Sequence, residues 1–566
     1  MYHNLPYSHY CLIIILIQFM FLLARKHFYT CLRTINGSED LMNSFAADVA
    51  AALPLASIVI AFLIPLVSLK IKDPKVPHYI SSVVTGLVFL LSAYVFIHVF
   101  STGDVLVYTF SGFPPPLGIV YVVDVVNSFV GFLIGFVFFF VNIFSLKYIL
   151  KFGGSEWYYT LMLGLEAGLM GLTYTGDVFN VFVMMEVASV STYALITFFR
   201  ERGYPLDAGV KYGILGGVAT TIYFVAAVIA YYSFGTLNMA DIASKILGRE
   251  TSFNTFSQGF TYDVGVAAVI FLGLSVWTFA IESALFPMHF WLPEAYTAAP
   301  ATASAALAAV AEGTYVYLVM RYIYTIVGLE HALPVRIAFL VLGSLAVIFA
   351  GFLMSQQNGL KRIISYSTVL DVGFMYIGLG IGSKLAIAAT LYYILSHAFV
   401  KPLLFLTAAA SEYLFGTTNL NKLSGVYRKY PILGASLAVG GLAVAGVLPF
   451  NLFFAKLNLA IAALQEGYAP VIIVIAVGSA FALVSFSRAL YATYFKPGNA
   501  ELPSLTLPAS FKSVLSILLV LTVITGLGYT LINTDLITPI AENLTDSTLR
   551  LKYLLTVEEI LSAGFK

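Results

Sequence analysis

Twelve ionisable side chains fall inside otherwise apolar stretches of this 566-residue sequence: Asp124, Glu166, Glu186, Lys211, Glu282, His289, Glu312, Asp371, His397, Lys401, Glu412 and Lys456. A charge in hydrocarbon costs several kcal/mol, so such groups are rare unless they pair or line an ion path. Twelve are too many for structural accident, and most fall in neighbouring apolar segments. Carboxyls, an imidazole and amines in that arrangement can pass protons or hold a small cation. They form a lateral polar chain through a helical bundle, and no covalent catalysis is expected of them.

Position separates these residues. Glu186 stands in the middle of VFNVFVMMEVASVSTYALI, too far from either end to reach water. Glu282 is equally deep, shortly before Pro287, and Lys456 follows Pro449. Glu312 lies among small residues in ALAAVAEGTY, where helices pack closely around a polar path. His397 and Lys401 are four apart and share a helix face, which suits a proton relay and a helix-stabilising pair equally well. His289 follows Pro287, where it can satisfy freed backbone groups, and Glu166 is deep enough to need a partner. Asp124 is placed to cap a helix or to lie at the interface. Lys211, Asp371 and Glu412 sit near span ends or in mixed surroundings, from which a side chain can extend to the interface.

The elements that must carry these groups follow from composition. The chain is 60% hydrophobic and 10% charged, where soluble domains run nearer a quarter charged. Apolar runs of about 20 residues then read as membrane spans. Fourteen are expected, at 47–69, 79–100, 122–145, 157–175, 178–199, 210–234, 263–291, 299–327, 334–355, 362–382, 384–411, 431–464, 470–494 and 512–534. The expected fold is an all-α integral membrane protein. The net charge of +1 gives no electrostatic case for nucleic acid. The only cysteines, Cys11 and Cys31, precede the spans, so no cluster or zinc ligands remain. No phosphate loop or flavin motif is found, and no cofactor is expected.

Lys and Arg crowd the odd-numbered loops, with Lys70, Lys72 and Lys75 after span 1 and Lys147 and Lys151 after span 3. The loops after spans 2, 4 and 12 carry none. The odd loops are therefore expected in the cytoplasm of a multi-pass cell-membrane protein, with both ends of the core outside. Lys245, Arg249, Arg321 and Arg336 are mild exceptions. Residues 1–41 stand outside this pattern as an N-terminal extension, and Met42, directly before span 1, is an alternative start. Spans 7 and 12 carry proline at mid-membrane, at Pro287, Pro293 and Pro449, and are expected to break there. Interrupted spans five apart in order are what inverted repeats produce.

Five stretches carry a family resemblance in order: TGDVFNVFVMMEVASVSTYAL, ALFPMHFWLPEAYTAAPATASAAL, LKRIISYSTVLDVGFMYIGLG, LSHAFVKPLLFL and LAVAGVLPFNLFFAKL. Together they resemble the antiporter-like subunits shared by complex I, Mrp Na+/H+ antiporters and energy-converting membrane-bound hydrogenases, nearest the Mrp and hydrogenase branch. The resemblance runs from Met42 to the end of span 13. It implies a fourteen-helix core with two inverted five-helix repeats, spans 4–8 (146–330) and 9–13 (331–496). Spans 1–3 (42–145) precede them, and span 14 with a C-terminal tail (497–566) follows. It also implies a central line of charged residues moving protons or sodium. The family's span-5 glutamate matches Glu186, and its lysine at the start of span 6 matches Lys211. Its span-11 histidine and lysine match His397 and Lys401, and its span-12 lysine matches Lys456.

Two positions depart from the family. Its span-7 lysine, just before the proline break, is Glu282 here, in ESALFP. Its span-8 lysine or histidine falls at Gly313, beside Glu312. In the family's model the span-5 acid and span-7 lysine form an ion pair that opens and closes. Here Glu186 would face a second acid, and two close carboxylates in low dielectric share a proton or hold a cation such as Na+. The expected ion-translocation set is Glu186, Lys211, Glu282, Glu312, His397, Lys401 and Lys456, with Glu166, His289 and Asp371 as possible additions. The resulting expectation is an H+- or Na+-translocating subunit of a multi-subunit, redox-driven, hydrogenase-like or complex I-like assembly. Any redox site would lie on other chains. Expected partners are other membrane subunits, including small Mrp-like ones and iron–sulfur or hydrogenase-like ones, together with the lipid bilayer. Two alternatives stand beside this: a non-pumping structural paralogue, and a subunit of a stand-alone Mrp-type antiporter.

Overall fold

The computed structural model describes residues 38–113, 118–249, 259–260, 263–497 and 505–563. Almost all of the N-terminal extension, with its two cysteines, lies outside the described residues. Among the described residues, twelve helices are long and apolar enough to cross a membrane. In chain order the helices are α1 (Ser38–Lys70), α2 (Val76–Thr102), α3 (Val125–Phe152), α4 (Ser155–Tyr174), α5 (Val178–Ile196) and α6 (Tyr204–Phe234). A short α7 (Met239–Ile246) leads to α8 (Val264–Glu282) and α9 (Trp291–Ala298). Next come α10 (Ala301–Val327), α11 (Leu333–Ser355), α12 (Leu360–Ile381) and α13 (Lys384–Phe415). The rest are α14 (Pro431–Ala445), α15 (Asn451–Gln465), α16 (Pro470–Phe495), α17 (Ala509–Leu527), α18 (Thr538–Thr545) and α19 (Ser547–Ala563).

Burial ranks these helices. The apolar windows of α10, α12 and α13 are buried throughout, whereas those of α2, α6, α11, α16 and α17 turn more than half of their residues outward. A charged group can be sheltered from lipid only on the inner helices, and α10, α12 and α13 carry Glu312, Asp371, His397 and Lys401. The partly exposed helices carry isolated apolar side chains such as Ile214, Val341 and Ile473 at 66%, 53% and 68% exposure, as a lipid-facing surface allows.

Both expected breaks are present. The helix α8 stops at Glu282 and the chain resumes as α9 after the turn at Pro287. The helix α14 stops at Ala445, Gly446 closes it in the left-handed region at φ 73°, and α15 starts at Asn451 beyond Pro449. The Phe286–Pro287 and Leu448–Pro449 peptides are both cis.

Two expectations need correction. The segment at 122–123 is not helical. Val120–Val123 pairs antiparallel with Leu106–Thr109, Leu106 opposite Val123 and Thr109 opposite Val120, a short hairpin in an otherwise helical fold. The alternation of β-branched and aromatic residues there favours a strand, and Asp124 then caps α3 through a reciprocal box with Asn127. This hairpin marks one end of the bundle, where Gly176 donates to the Val120 carbonyl and Met239 to Gly176. The C-terminal tail packs onto the bundle. On α19 the residues Tyr553, Leu554, Val557 and Leu561 are buried at helical spacing, and Arg550 donates to the carbonyls of Thr325 and Ile326. Asp371, finally, does not extend to an interface: it is 0% exposed, because α12 runs through the centre of the bundle.

Candidate functional site

The centre is built by two helix faces. On α13, Tyr393, His397 and Lys401 follow one another at four-residue intervals, and on α12 Ser367 and Asp371 do the same. Where the faces meet, Lys401 Nζ lies 2.7 Å from Asp371 Oδ2 and donates to Ser367 Oγ at 2.6 Å. Tyr393 donates its hydroxyl to Asp371 Oδ1 at 2.5 Å, and His397 Nδ1 lies 3.5 Å from Oδ2. The spacing of His397 and Lys401 suits a relay and a helix-stabilising pair alike. The structure gives both residues a common acid on the facing helix, one whose sequence position had pointed to the periphery.

Lys456 uses the break in its own span. Its ammonium donates to the Val444 carbonyl at 2.6 Å, at the C-terminal end of α14, and to Ser479 Oγ at 3.1 Å, and it lies 4.5 Å from the centre of the Phe374 ring. A helix C-terminus offers unpaired carbonyls and partial negative charge, which favour a cation. A Cβ on Gly446 would stand 3.0 Å from Lys456 Cδ, so the bare glycine lets the lysine turn back onto the helix end. Asp371 and Lys401 both act on Lys456 electrostatically, which ties it to the central cluster.

At the break in span 7 the chemistry is inverted. Glu282 is the last residue of α8, an acid at the negative end of a helix. The freed Ile281 carbonyl is taken by Trp291 Nε1 at 3.1 Å. The Trp291 ring stacks on Tyr212 of α6 at 4.1 Å between centroids, and Tyr212 in turn donates to Glu282 Oε2 at 3.0 Å. Glu282 Oε1 is buried and has no hydrogen-bond partner among the described residues. Glu186, half-buried on α5, acts on Glu282 electrostatically and makes no hydrogen bond or ion pair among the described residues.

Glu312 is fully buried on α10 and accepts a hydrogen bond from the Tyr296 hydroxyl. It begins a regular turn after a π-helical stretch, Leu307–Ala311. Such wide turns recur at functional positions, and this one brings Ala308 against His397. Glu312 and Lys401 also interact electrostatically, so the acid and base groups meet between α10 and α13. Gly313 carries no side chain because a Cβ there would stand 3.2 Å from Ile394 of α13. The tyrosines of this region were not among the expected site residues. Thirty-six tyrosines are spread along the chain, so their number alone singles out none.

Other expected site residues lie apart. Lys211 is on the periphery, 2.8 Å from Asp207 and 2.9 Å from Glu294, with nearly half of its side chain exposed. Glu166 accepts from Ser57 at 3.0 Å in a separate contact between α4 and α1. His289 stacks on Phe286 beside the turn. Glu412 accepts from Tyr148 at 2.5 Å and lies 3.4 Å from Lys361. Asp124 adds to its capping role a buried ion pair with Arg321 at 2.7 Å, beneath the Tyr553 ring of α19.

Comparison with known proteins gives a consistent picture. Residues 175–482 match the family model described as NADH:quinone oxidoreductase/Mrp antiporter, transmembrane region. The chain is 33% identical over 411 residues to the D subunit of a Na(+)/H(+) antiporter of Alkalihalophilus pseudofirmus, covering 71% of this chain and 79% of the relative. It is 32% identical over 438 residues to the N subunit of an NADH-quinone oxidoreductase of Desulforudis audaxviator, covering 74% and 84%. Among solved structures, a chain of a membrane-bound sulfane sulfur reductase, an archaeal respiratory membrane complex, superposes with a TM-score of 0.79 at 27% identity. That match covers 90% of this chain and 99% of that one.

Proposed function

The chain belongs to the family of membrane subunits shared by NADH:quinone oxidoreductases and Mrp antiporters, and from that premise we propose that it translocates H+ or Na+ as an antiporter-like subunit of a multi-subunit membrane complex. One observation carries the reading. Glu186 acts electrostatically on Glu282, and Glu312 on Lys401; Lys401 and His397 share Asp371, and Lys456 is under the influence of Asp371 and Lys401, so an acidic and an ion-paired group stand side by side in the interior. Glu312, Lys401 and Asp371 lie on the three helices whose apolar windows are buried throughout. Groups so placed can hand on a proton, or the field of an added charge, without opening the bundle to water.

Finer features belong to the same proposal. The chain crosses the membrane fourteen times, α4 and the broken pair α14/α15 completing the twelve long apolar helices. Spans 4–8 and 9–13 are inverted repeats, a reading supported by breaks five spans apart. The odd loops face the cytoplasm. Neighbours are other membrane subunits, and redox energy, where it drives transport, arrives from them. The substitution of an acid for the family's span-7 lysine favours one second reading, a subunit that has lost pumping and serves as a structural element.

Transport by the intact complex in liposomes separates the two. Lys401→Ala should abolish coupled ion movement while the complex still assembles. Undiminished transport in that variant would reject the ion path.

A further inference from the structure

The acid half of the site lacks the lysines that would carry charge between its carboxyls, yet it is not apolar. Four tyrosines from four elements converge there: Tyr193 of α5, Tyr212 of α6, Tyr296 of α9 and Tyr315 of α10. Each lies within electrostatic reach of Glu282, and Tyr296 and Tyr315 also reach Glu312. Tyr212 donates to Glu282 and Tyr296 to Glu312, so each carboxyl holds one phenol. A small cavity is lined by Glu282, Tyr212, Tyr296 and Tyr315, with Thr192, Trp291 and apolar side chains completing its wall, and Tyr296 links it to Glu312. One oxygen of each carboxyl, Glu282 Oε1 and Glu312 Oε2, is buried without a hydrogen-bond partner among the described residues.

We propose that Tyr212, Tyr315 and Tyr296 form a hydroxyl relay joining Glu282 to Glu312, so that this half of the chain passes protons and not sodium. The proposal rests on the ion-translocating reading above and names the ion for that part of the path.

A tyrosine hydroxyl donates one hydrogen bond and accepts others, so it can release its proton on one side as it takes one on the other. In a forward step Tyr296 gives its hydroxyl proton to Glu312 and regains one from the cavity side. That proton comes from Tyr315 or from Tyr212, whose hydroxyl first turns from Glu282 toward the cavity, and the series ends when a protonated Glu282 gives its proton to the Tyr212 oxygen. One proton leaves Glu282, one arrives at Glu312, and every phenol ends neutral. Rotation of the hydroxyls about their C–O bonds then resets the chain. Sodium has no such option. A hard cation of about the size of Ca2+ requires roughly six oxygen ligands, and much of the wall of the cavity beside Glu282 is Leu165, Leu169, Leu307 and Ala311. The route suits a particle that moves by exchange of hydrogen bonds.

The test uses the intact complex in liposomes under an imposed ion gradient, with an internal pH dye and radioactive sodium read in parallel. Tyr296→Phe keeps the ring and removes only the hydroxyl. The expected result is at least a tenfold fall in proton flux, together with a shift of the Glu312 carbonyl stretch in difference infrared spectra. Tyr212→Phe combined with Tyr296→Phe should leave no flux above that of Lys401→Ala. Site-specific 3,5-difluorotyrosine at position 296 restores a hydroxyl of greater acidity. It should restore flux and move the alkaline limb of the pH profile to lower pH, which a purely structural role would not do. Wild-type proton flux in the double variant or an unmoved pH profile with difluorotyrosine would each overturn the relay. If Lys401→Ala stops transport while the tyrosine variants do not, the relay alone falls. If Lys401→Ala is also silent, the ion-path reading falls with it. Should a phenylalanine variant fail to assemble, the difluorotyrosine profile decides.

Discussion

The two broken spans present opposite chemistry at the same kind of place. At the end of α14 a lysine turns back onto free carbonyls, and an acid, a histidine and a second lysine stand behind it. At the end of α8 an acid occupies the carbonyl end itself, an indole takes the freed carbonyl, and phenols and a second acid stand behind it. The first arrangement holds separated charges, each satisfied by an opposite charge or a helix end. The second holds carboxyls that each accept one phenol hydrogen bond and keep one oxygen unpartnered among the described residues. Glu312 is where the two meet, bonded to Tyr296 on one side and under the influence of Lys401 on the other. A polar path through a membrane protein can thus be built from ion pairs or from hydroxyl-bonded acids, and this chain uses one in each half.

The largest expected effect lies in the ion-pair half. Asp371→Asn leaves Lys401 buried without its anion, and losing one partner of a buried pair costs about 3–5 kcal/mol. The thermal unfolding midpoint of the detergent-solubilised complex should fall markedly. Asp371→Asn combined with Lys401→Met should recover much of that loss without recovering transport. If the single variant is as stable as the parent, the two halves do not differ in the way described.

Restoring the family's residues in the acid half should have smaller and more local effects. Gly313→Lys forces a side chain into space held by Ile394, and overpacking of that kind costs about 1–3 kcal/mol. Adding Ile394→Ala should relieve it, and a Gly313→Lys variant that is fully stable alone would show that packing does not exclude the lysine. Glu282→Lys puts a cation at a helix C-terminus facing Glu186. It should assemble with stability within about 1 kcal/mol of the parent, since the gain at the helix end is of that size. Its transport should no longer respond to Tyr212→Phe, because an ammonium replaces the phenol-bonded carboxyl. Continued dependence on Tyr212 would argue against the contrast. Lys211→Ala should change transport least, because that lysine pairs at the surface with Asp207 and Glu294 and such exposed pairs contribute little. A strong transport defect there would extend the path to the periphery.

Much of this was legible in the residues themselves. Apolar length announced the spans, proline marked both breaks, and depth within a span singled out Glu186, Glu282, Glu312 and Lys456. Those are local properties: the cost of a charge or an interrupted helix in hydrocarbon depends on the segment that carries it. The juxtaposition of Glu186 with Glu282 was reached only through the resemblance, since nothing in either segment states which helix faces it.

Pairing was decided by the tertiary structure. Asp371 read as a residue able to extend to the interface, and packing made it the common partner of His397 and Lys401, because α12 is enclosed on every side. Tyr212 and Glu282 are 70 residues apart and Tyr296 and Glu312 only 16, yet neither hydrogen bond is visible in the sequence. A tyrosine in an apolar helix has the same local character whether its hydroxyl meets a carboxyl, a carbonyl or the membrane interface. The physical reason is the same in each case. Burial and helical period are properties of a single segment, whereas the partner of a buried polar group is chosen by the orientation of two segments, and only their packing sets that.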